Sequence, residues 1–264
     1  MTSVSPSLSP PEACVHLWLL SLDPGAEVVA AISTCLSHEE RTRATRFRHP
    51  DDSRRYSVAR GALRWLVTRY LDVDPGSIRF DEGPHGKPGL AQVPAGVDLQ
   101  FNLSHSGDVA LAAFGVGRPL GVDIERMQRA IDPEALIARF GSPGERAMLQ
   151  ALRPDERQRR FLQLWTCKEA WLKATGLGIA AGLERVDVDL STGAPHLVGA
   201  PEGWGGVHDW SLSLLEPTDS LIAAVALHDP AHRLGNVSGR ETLSIASGST
   251  GERIEIALLP RGTT

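Results

Sequence analysis

Gly121-Val122-Asp123-Ile124-Glu125 is the stretch on which the reading of this chain turns. A glycine opens a strand-like run in which apolar residues alternate with two carboxylates. Residues two apart on a strand share a face, so Asp123 and Glu125 point the same way. The rest of the run is apolar, which implies burial. Two buried like charges are costly unless a metal ion or cationic side chains neutralise them. Spacing alone also suits the solvated face of an edge strand, and both readings stand on this stretch by itself.

A second stretch, Trp165-Thr166-Cys167-Lys168-Glu169-Ala170-Trp171-Leu172-Lys173, supplies a third acid on a helix pattern. Trp165, Glu169 and Leu172 fall on one helix face, so the carboxylate is flanked by bulky apolar residues. Lys173 follows Glu169 by one turn, and Lys168 is displaced by about 100° on the wheel. The plain alternative is an exposed ion pair worth ~0.3–0.5 kcal/mol. Three acids and several cations, set apart in sequence, are what holds a divalent metal against a charged phosphate ligand.

Outward from these stretches the chain reads as α+β. It has 264 residues, 42% of them hydrophobic, enough for one large domain or two smaller ones. Strand patterns are expected at 15–22, 78–80, 97–103, 109–114, 120–124, 186–190, 208–215 and 221–228. The short joints after 103 and 114 predict antiparallel neighbours. The Ser37-x-x-Glu40 spacing is a capping box opening a basic helix to about Phe47. Asp51 or Asp52 caps a second helix through Tyr70, and further helices are expected at 133–140, from Ser142, and at 154–175 with Gly176 as the stop. Gly83 to Gly89 is a glycine- and proline-rich loop. The organisation is two similar α+β halves, 13–127 and 128–230, each a small mostly antiparallel sheet packed with helices. Residues 1–12 read as a disordered N-terminus, and 231–264 as a mobile tail or an added hairpin.

A net charge of −5 gives no bulk signal for nucleic acid or membrane, so any anion site is local. Three cysteines without CxxC spacing argue against a zinc site or a disulfide framework. No basic start leads into an apolar run at the N-terminus, so a cytoplasmic protein is expected. The sequence holds no GxxxxGK[ST], GxGxxG after a strand, HExxH or GxSxG pattern, which excludes a P-loop and the common hydrolase and zinc-protease sites. Arg41, Arg43, Arg46 and Arg48 crowd one segment that reads either as a solvated helix face or as a phosphate contact, with Arg55 and Arg64 farther into the next helix, while Lys87 lies between glycines that let a ligand approach the backbone closely. His105 follows Ser104 at a strand end. Arg153, Arg157, Arg159 and Arg160 read either as a solvated basic face or as a dock for an acidic protein.

Together these segments resemble the 4′-phosphopantetheinyl transferases, specifically the larger, surfactin-type branch. The likeness runs from about residue 15 to 230. It rests on Phe101-Asn102-Leu103-Ser104-His105-Ser106-Gly107, on the two stretches quoted above, on Gly86-Lys87-Pro88, and on Phe47…Asp51…Arg55…Arg64. The resemblance implies a pseudo-dimer of two halves in one chain with the active site between them. It also implies transfer of phosphopantetheine from coenzyme A to a serine of acyl or peptidyl carrier proteins. By the same analogy Asp123, Glu125 and Glu169 bind Mg²⁺, with Mn²⁺ an alternative. Lys173 and Lys168 face the phosphates, Ser104 and His105 meet the nucleotide end, and Lys87 with Pro88 lies by the adenine. The incoming serine must lose its proton to a carboxylate at the metal edge or to a metal-bound water, and Glu169 is the candidate base, directly or through water. Arg55 and Arg43 meet the remaining phosphate charge, Glu40 standing where the family usually has a basic residue. A monomer is expected. A non-catalytic coenzyme A-binding module and a Mg²⁺-dependent pyrophosphate hydrolase are the rival readings.

Overall fold

Two copies of one arrangement follow each other along the chain. The computed structural model describes residues 15–83, 85–94, 96–178, 182–230, 243–246 and 253–256. The first copy begins with strand β1 (His16–Ser21) and helices α1 (Ala26–Ser33), α2 (His38–Ala44) and α3 (Pro50–Thr68). A short hairpin, β2 (Phe80–Glu82) and β3 (Pro88–Leu90), and a long one, β4 (Leu99–Ser106) and β5 (Val109–Val116), complete it. The second copy repeats the plan with β6 (Leu120–Arg126), α4 (Pro133–Phe140), α5 (Pro143–Ala151) and α6 (Pro154–Thr175). It ends with a short hairpin, β7 (Asp187–Asp189) and β8 (His196–Gly199), and a long one, β9 (Trp210–Thr218) and β10 (Leu221–His228). In each copy the last strand returns to the middle, giving the orders β1-β5-β4 and β6-β10-β9, antiparallel throughout.

Strand alternation sorts the side chains into three cores. Trp18, Leu20 and Phe114 face α3 residues Leu63, Leu66 and Val67 on the outer side of the first sheet. Ile222, Ala224 and Ala226 share a cluster with Leu164, Ala170 and Trp171 of α6. The opposite faces meet in a third cluster, where Leu17, Leu111 and Ala113 of the first sheet join Val122, Ile124 and Val225 of the second. The sheets also meet edge to edge. Asn102 Oδ1 of β4 accepts the Val122 amide of β6 at 2.9 Å, so side chains stitch the seam.

Several sequence expectations need correction. Strand β6 does not pair with β5, because both edges of β5 are taken by β1 and β4. It opens the second sheet beside β10. The chain therefore passes between halves at about 117–119, where Gly117 takes φ +67°, and not after 127. Helix α3 starts earlier than Asp51, with Pro50 in the first turn, a position where the missing N–H is harmless. Helix α1 follows Gly25 without a side-chain cap, so it carried no start signal. The Ser37 capping box forms as read, as does an equivalent one at Ser142 and Glu145. In the tail, β11 (Leu243–Ala246) pairs antiparallel with β12 (Arg253–Ile256). The stretch 1–12 lies outside the described residues, as does most of 231–264. Among the described residues no helix is long and apolar enough to cross a membrane.

Candidate functional site

The seam between β4 and β6 carries the acids. On β6 the even residues Val122 and Ile124 face the other sheet, which leaves Asp123 and Glu125 on the α6 side, 4% and 8% exposed. Helix α6 lies unusually close here because position 121 is glycine. A methyl group there would overlap the Ala170 carbonyl oxygen and the Ala174 amide nitrogen. Ala170 and Ala174 are thus pressed onto the strand, and their neighbours Glu169 and Lys173 flank it.

Lys173 Nζ donates to Asp123 Oδ1 at 2.5 Å and to Ser104 Oγ at 2.8 Å, and Ser104 Oγ donates to the same Asp123 oxygen at 2.7 Å. Glu125 is held by Ser106 Oγ at 2.8 Å and by Arg129. Among the described residues, two carboxylate oxygens are buried without a partner, Asp123 Oδ2 and Glu169 Oε1. Burial raises the Glu169 carboxyl to about 7 against the pull of Lys173, with the charges of Asp123 and Glu125 adding to the rise. Glu125 is raised too, first by burial and then by Asp123. Oxygen donors with free lone pairs and raised proton affinity fit a hard divalent cation. Among the described residues no three such side chains converge tightly enough to hold a metal ion as they stand.

Beside the acids lies a cleft of about 610 Å³. Arg43, Asp52, Arg55 and Tyr56 line one wall, Gly86 and Pro88 the hairpin side, and His105 the end next to Ser104. Partial burial and the nearby Lys173 charge lower the His105 imidazole, favouring its neutral form. Arg55 is braced by Asp23 at 2.9 Å and Arg43 by Glu82 at 3.2 Å. The buried Glu40 closes the α2 cap and accepts from Arg60 at 2.9 Å and Arg64 at 2.8 Å. It joins α2 to α3, which leaves Arg43 as the α2 cation on the cleft.

Two expected ligand contacts are placed elsewhere. The Lys168 ammonium is buried against Glu145 at 2.5 Å and donates to the carbonyls of Phe140 at 2.9 Å and Leu183 at 3.2 Å. It faces α5 rather than the acids, as its offset on the helix requires. Lys168→Met is therefore expected to lower stability by about 3 kcal/mol, since it strands a buried Glu145. Denaturant unfolding checks this, and a decrease below about 1 kcal/mol contradicts it. The Lys87 side chain likewise turns from the cleft, its ammonium pushed down by burial to about 8, while the adjoining Gly86 and Pro88 line the cleft. Of the basic run, Arg153 pairs with Asp155, Arg157 with Glu134 and Arg159 with Glu216, as on a solvated charged face.

Asn102 and Ser106 lie in a quoted stretch but carry no role in the sequence-based expectations, and neither does Arg129. A signal existed: Ser104-x-Ser106 repeats the spacing of Asp123-x-Glu125, and the two pairs meet across the seam.

A sequence model of the 4′-phosphopantetheinyl transferase superfamily matches residues 119–226, and one of the 4′-phosphopantetheinyl transferase N-terminal region matches 21–115. The 4′-phosphopantetheinyl transferase HetI of Nostoc sp. is 41% identical over 214 residues, 81% of this chain and 87% of that protein. The chain belongs to the 4′-phosphopantetheinyl transferases. A Bacillus subtilis 4′-phosphopantetheinyl transferase is 33% identical over 70% of this chain and 78% of its own length. The 4′-phosphopantetheinyl transferase Sfp of Bacillus subtilis is 34% identical over 59% of this chain and 66% of its own. The two family matches divide between 115 and 119, where this transferase passes from its first sheet to its second.

Proposed function

We propose that this transferase moves the 4′-phosphopantetheine arm of coenzyme A onto a serine hydroxyl of an acyl or peptidyl carrier protein, releasing 3′,5′-ADP. The observation that carries the reading is the pair of buried, unpartnered oxygens, Asp123 Oδ2 and Glu169 Oε1, beside Lys173 and the cleft. Family membership supports the same chemistry. Arg43 and Arg55 face the phosphate charge of the nucleotide end, His105 lies near the 3′-phosphate with Ser104, and the Gly86–Pro88 backbone meets the adenine. Lys173 bridges from Asp123 toward the pyrophosphate.

Asp123, Glu125 and Glu169 are the residues that would hold Mg²⁺, or Mn²⁺, which when bound neutralises the pyrophosphate and polarises the phosphate under attack. Phosphoryl-type transfer needs placement and charge neutralisation more than covalent help. The serine oxygen forms a bond to the β-phosphorus of coenzyme A. The phosphoanhydride bond to 3′,5′-ADP breaks, and its electron pair leaves on the nucleotide's phosphate oxygen. The serine proton passes to Glu169, directly or through a water, when that carboxylate is not itself fully bound to the metal. Both halves of the site lie in one chain, which supports a monomeric enzyme.

Product analysis tests the reaction class. With coenzyme A, Mg²⁺ and an apo carrier protein, 3′,5′-ADP is expected to appear one for one with modified carrier. Release of 3′,5′-ADP with the carrier unchanged would make the protein a hydrolase. Coenzyme A binding without either product would make it a binding module.

A further inference from the structure

Lys87 sits between two neighbours that line the cleft, yet its own side chain runs the other way. Gly86 and Pro88 face the cleft with Arg43, Arg55 and His105. Lys87 lines a second cavity of about 590 Å³, together with Ala174, Gly176 and Leu177, and Pro88 borders both. Its ammonium donates to the Leu120 carbonyl at 3.0 Å and to the Ala174 carbonyl at 2.8 Å. Both acceptors belong to the second half, Leu120 at the start of β6 and Ala174 in the last turn of α6.

That position suits a cation. The last four carbonyls of a helix lack intrahelical partners, and positive charge is favoured at a helix C-terminus. Gly176, at φ +71°, turns the chain away there, and a methyl group on it would lie 3.6 Å from Lys87 Cδ. One residue before Ala174 comes Lys173, which is bonded to Asp123 and Ser104. A single ammonium thus fastens the hairpin wall of the cleft to the helix end that carries Lys173 and Glu169. The side-chain links from Ser104 and Ser106 to Asp123 and Glu125 fasten the two halves at another place along the seam.

We propose that Lys87 is a positioning residue that sets the separation between the hairpin holding the nucleotide and the helix facing the pyrophosphate. The inference rests on the proposed function, in which coenzyme A spans both. It makes a specific distinction between ligands. Adenosine 3′-phosphate, which lacks the 5′-phosphate, occupies the hairpin side alone, whereas coenzyme A reaches from the hairpin to Lys173 and the acids.

Lys87→Met is therefore expected to weaken coenzyme A binding by about tenfold and to lower kcat by about as much or more. The affinity for adenosine 3′-phosphate, measured by calorimetry, is expected to stay within about twofold of wild type. Lys87→Arg keeps a charge at the helix end and is expected to show the same pattern at smaller amplitude, which guards against a variant that fails to fold. Equal loss for both ligands would overturn the proposal in favour of direct nucleotide contact, and no loss for either would overturn it outright. Hydrogen exchange decides the clamp independently of any activity. Lys87→Met is expected to speed exchange in residues 85–90 and 174–178 together, and unchanged protection in both segments would overturn the clamp. A wild-type protein that binds neither coenzyme A nor adenosine 3′-phosphate would count against the functional reading alone and leave the exchange result to judge Lys87.

Discussion

Glu169→Gln is expected to abolish most turnover and, at the same time, to make the metal-free protein more stable above neutral pH. Both effects come from one carboxylate. Glu169 is 5% exposed, one of its oxygens has no partner, and its carboxyl is raised to about 7. A raised acid holds its proton longer in the folded state than in the unfolded one, so stability falls as pH rises from about 4.5 to 7 and the full penalty is present above 7. Glutamine removes the penalty while keeping the shape. At pH 8 in EDTA the variant is expected to gain on the order of 2 kcal/mol, less than the full shift because the neighbouring Glu125 is raised as well. The gain should vanish below pH 4.5. Loss of the base and of a metal oxygen should lower kcat by about 10²–10³-fold. Denaturant unfolding at pH 5 and pH 8, with parallel kinetics, checks both arms. Retained kcat would remove Glu169 as the base. Equal stability at pH 8 would mean that its carboxylate is not buried as described.

Gly121→Ala is expected to destabilise the fold by about 3 kcal/mol or more and to inactivate it. Gly121 is not among the residues with positive φ, so its backbone accepts alanine without strain. The obstacle is steric. The added methyl overlaps backbone atoms of Ala170 and Ala174 and comes within 2.9 Å of Ala174 Cα, none of which can rotate aside. Helix α6 must lift from β6, carrying Glu169 and Lys173 away from Asp123. Thermal unfolding with circular dichroism, and turnover of whatever folds, measure the two consequences. An alanine variant with wild-type stability would show that the helix does not rest on this glycine.

Most of the secondary structure was legible because it is written in local signals. Capping boxes at Ser37 and Ser142 and the glycine stop at Gly176 mark helix ends without tertiary help. The acids were legible because alternation on β6 and the turn spacing on α6 expose them in one dimension. Pairing was not. Nothing local tells that β5 has both edges occupied, so the short joint after it read as a hairpin when it is the passage between sheets. Side-chain direction was the other gap. Lys168 and Lys87 are lysines beside site residues, and only packing shows that their ammonium groups are spent on Glu145 and on backbone carbonyls. The match of Ser104 and Ser106 to Asp123 and Glu125 was present as spacing, but it acquires meaning only once β4 is known to lie beside β6.

The most direct test of the central claim is the intact mass of an apo carrier protein after incubation with this protein, coenzyme A and Mg²⁺. The expected result is a gain of one phosphopantetheine arm, abolished by EDTA and by Asp123→Ala. No gain on either acyl or peptidyl carriers, or a gain that survives Asp123→Ala at the wild-type rate, would contradict the account.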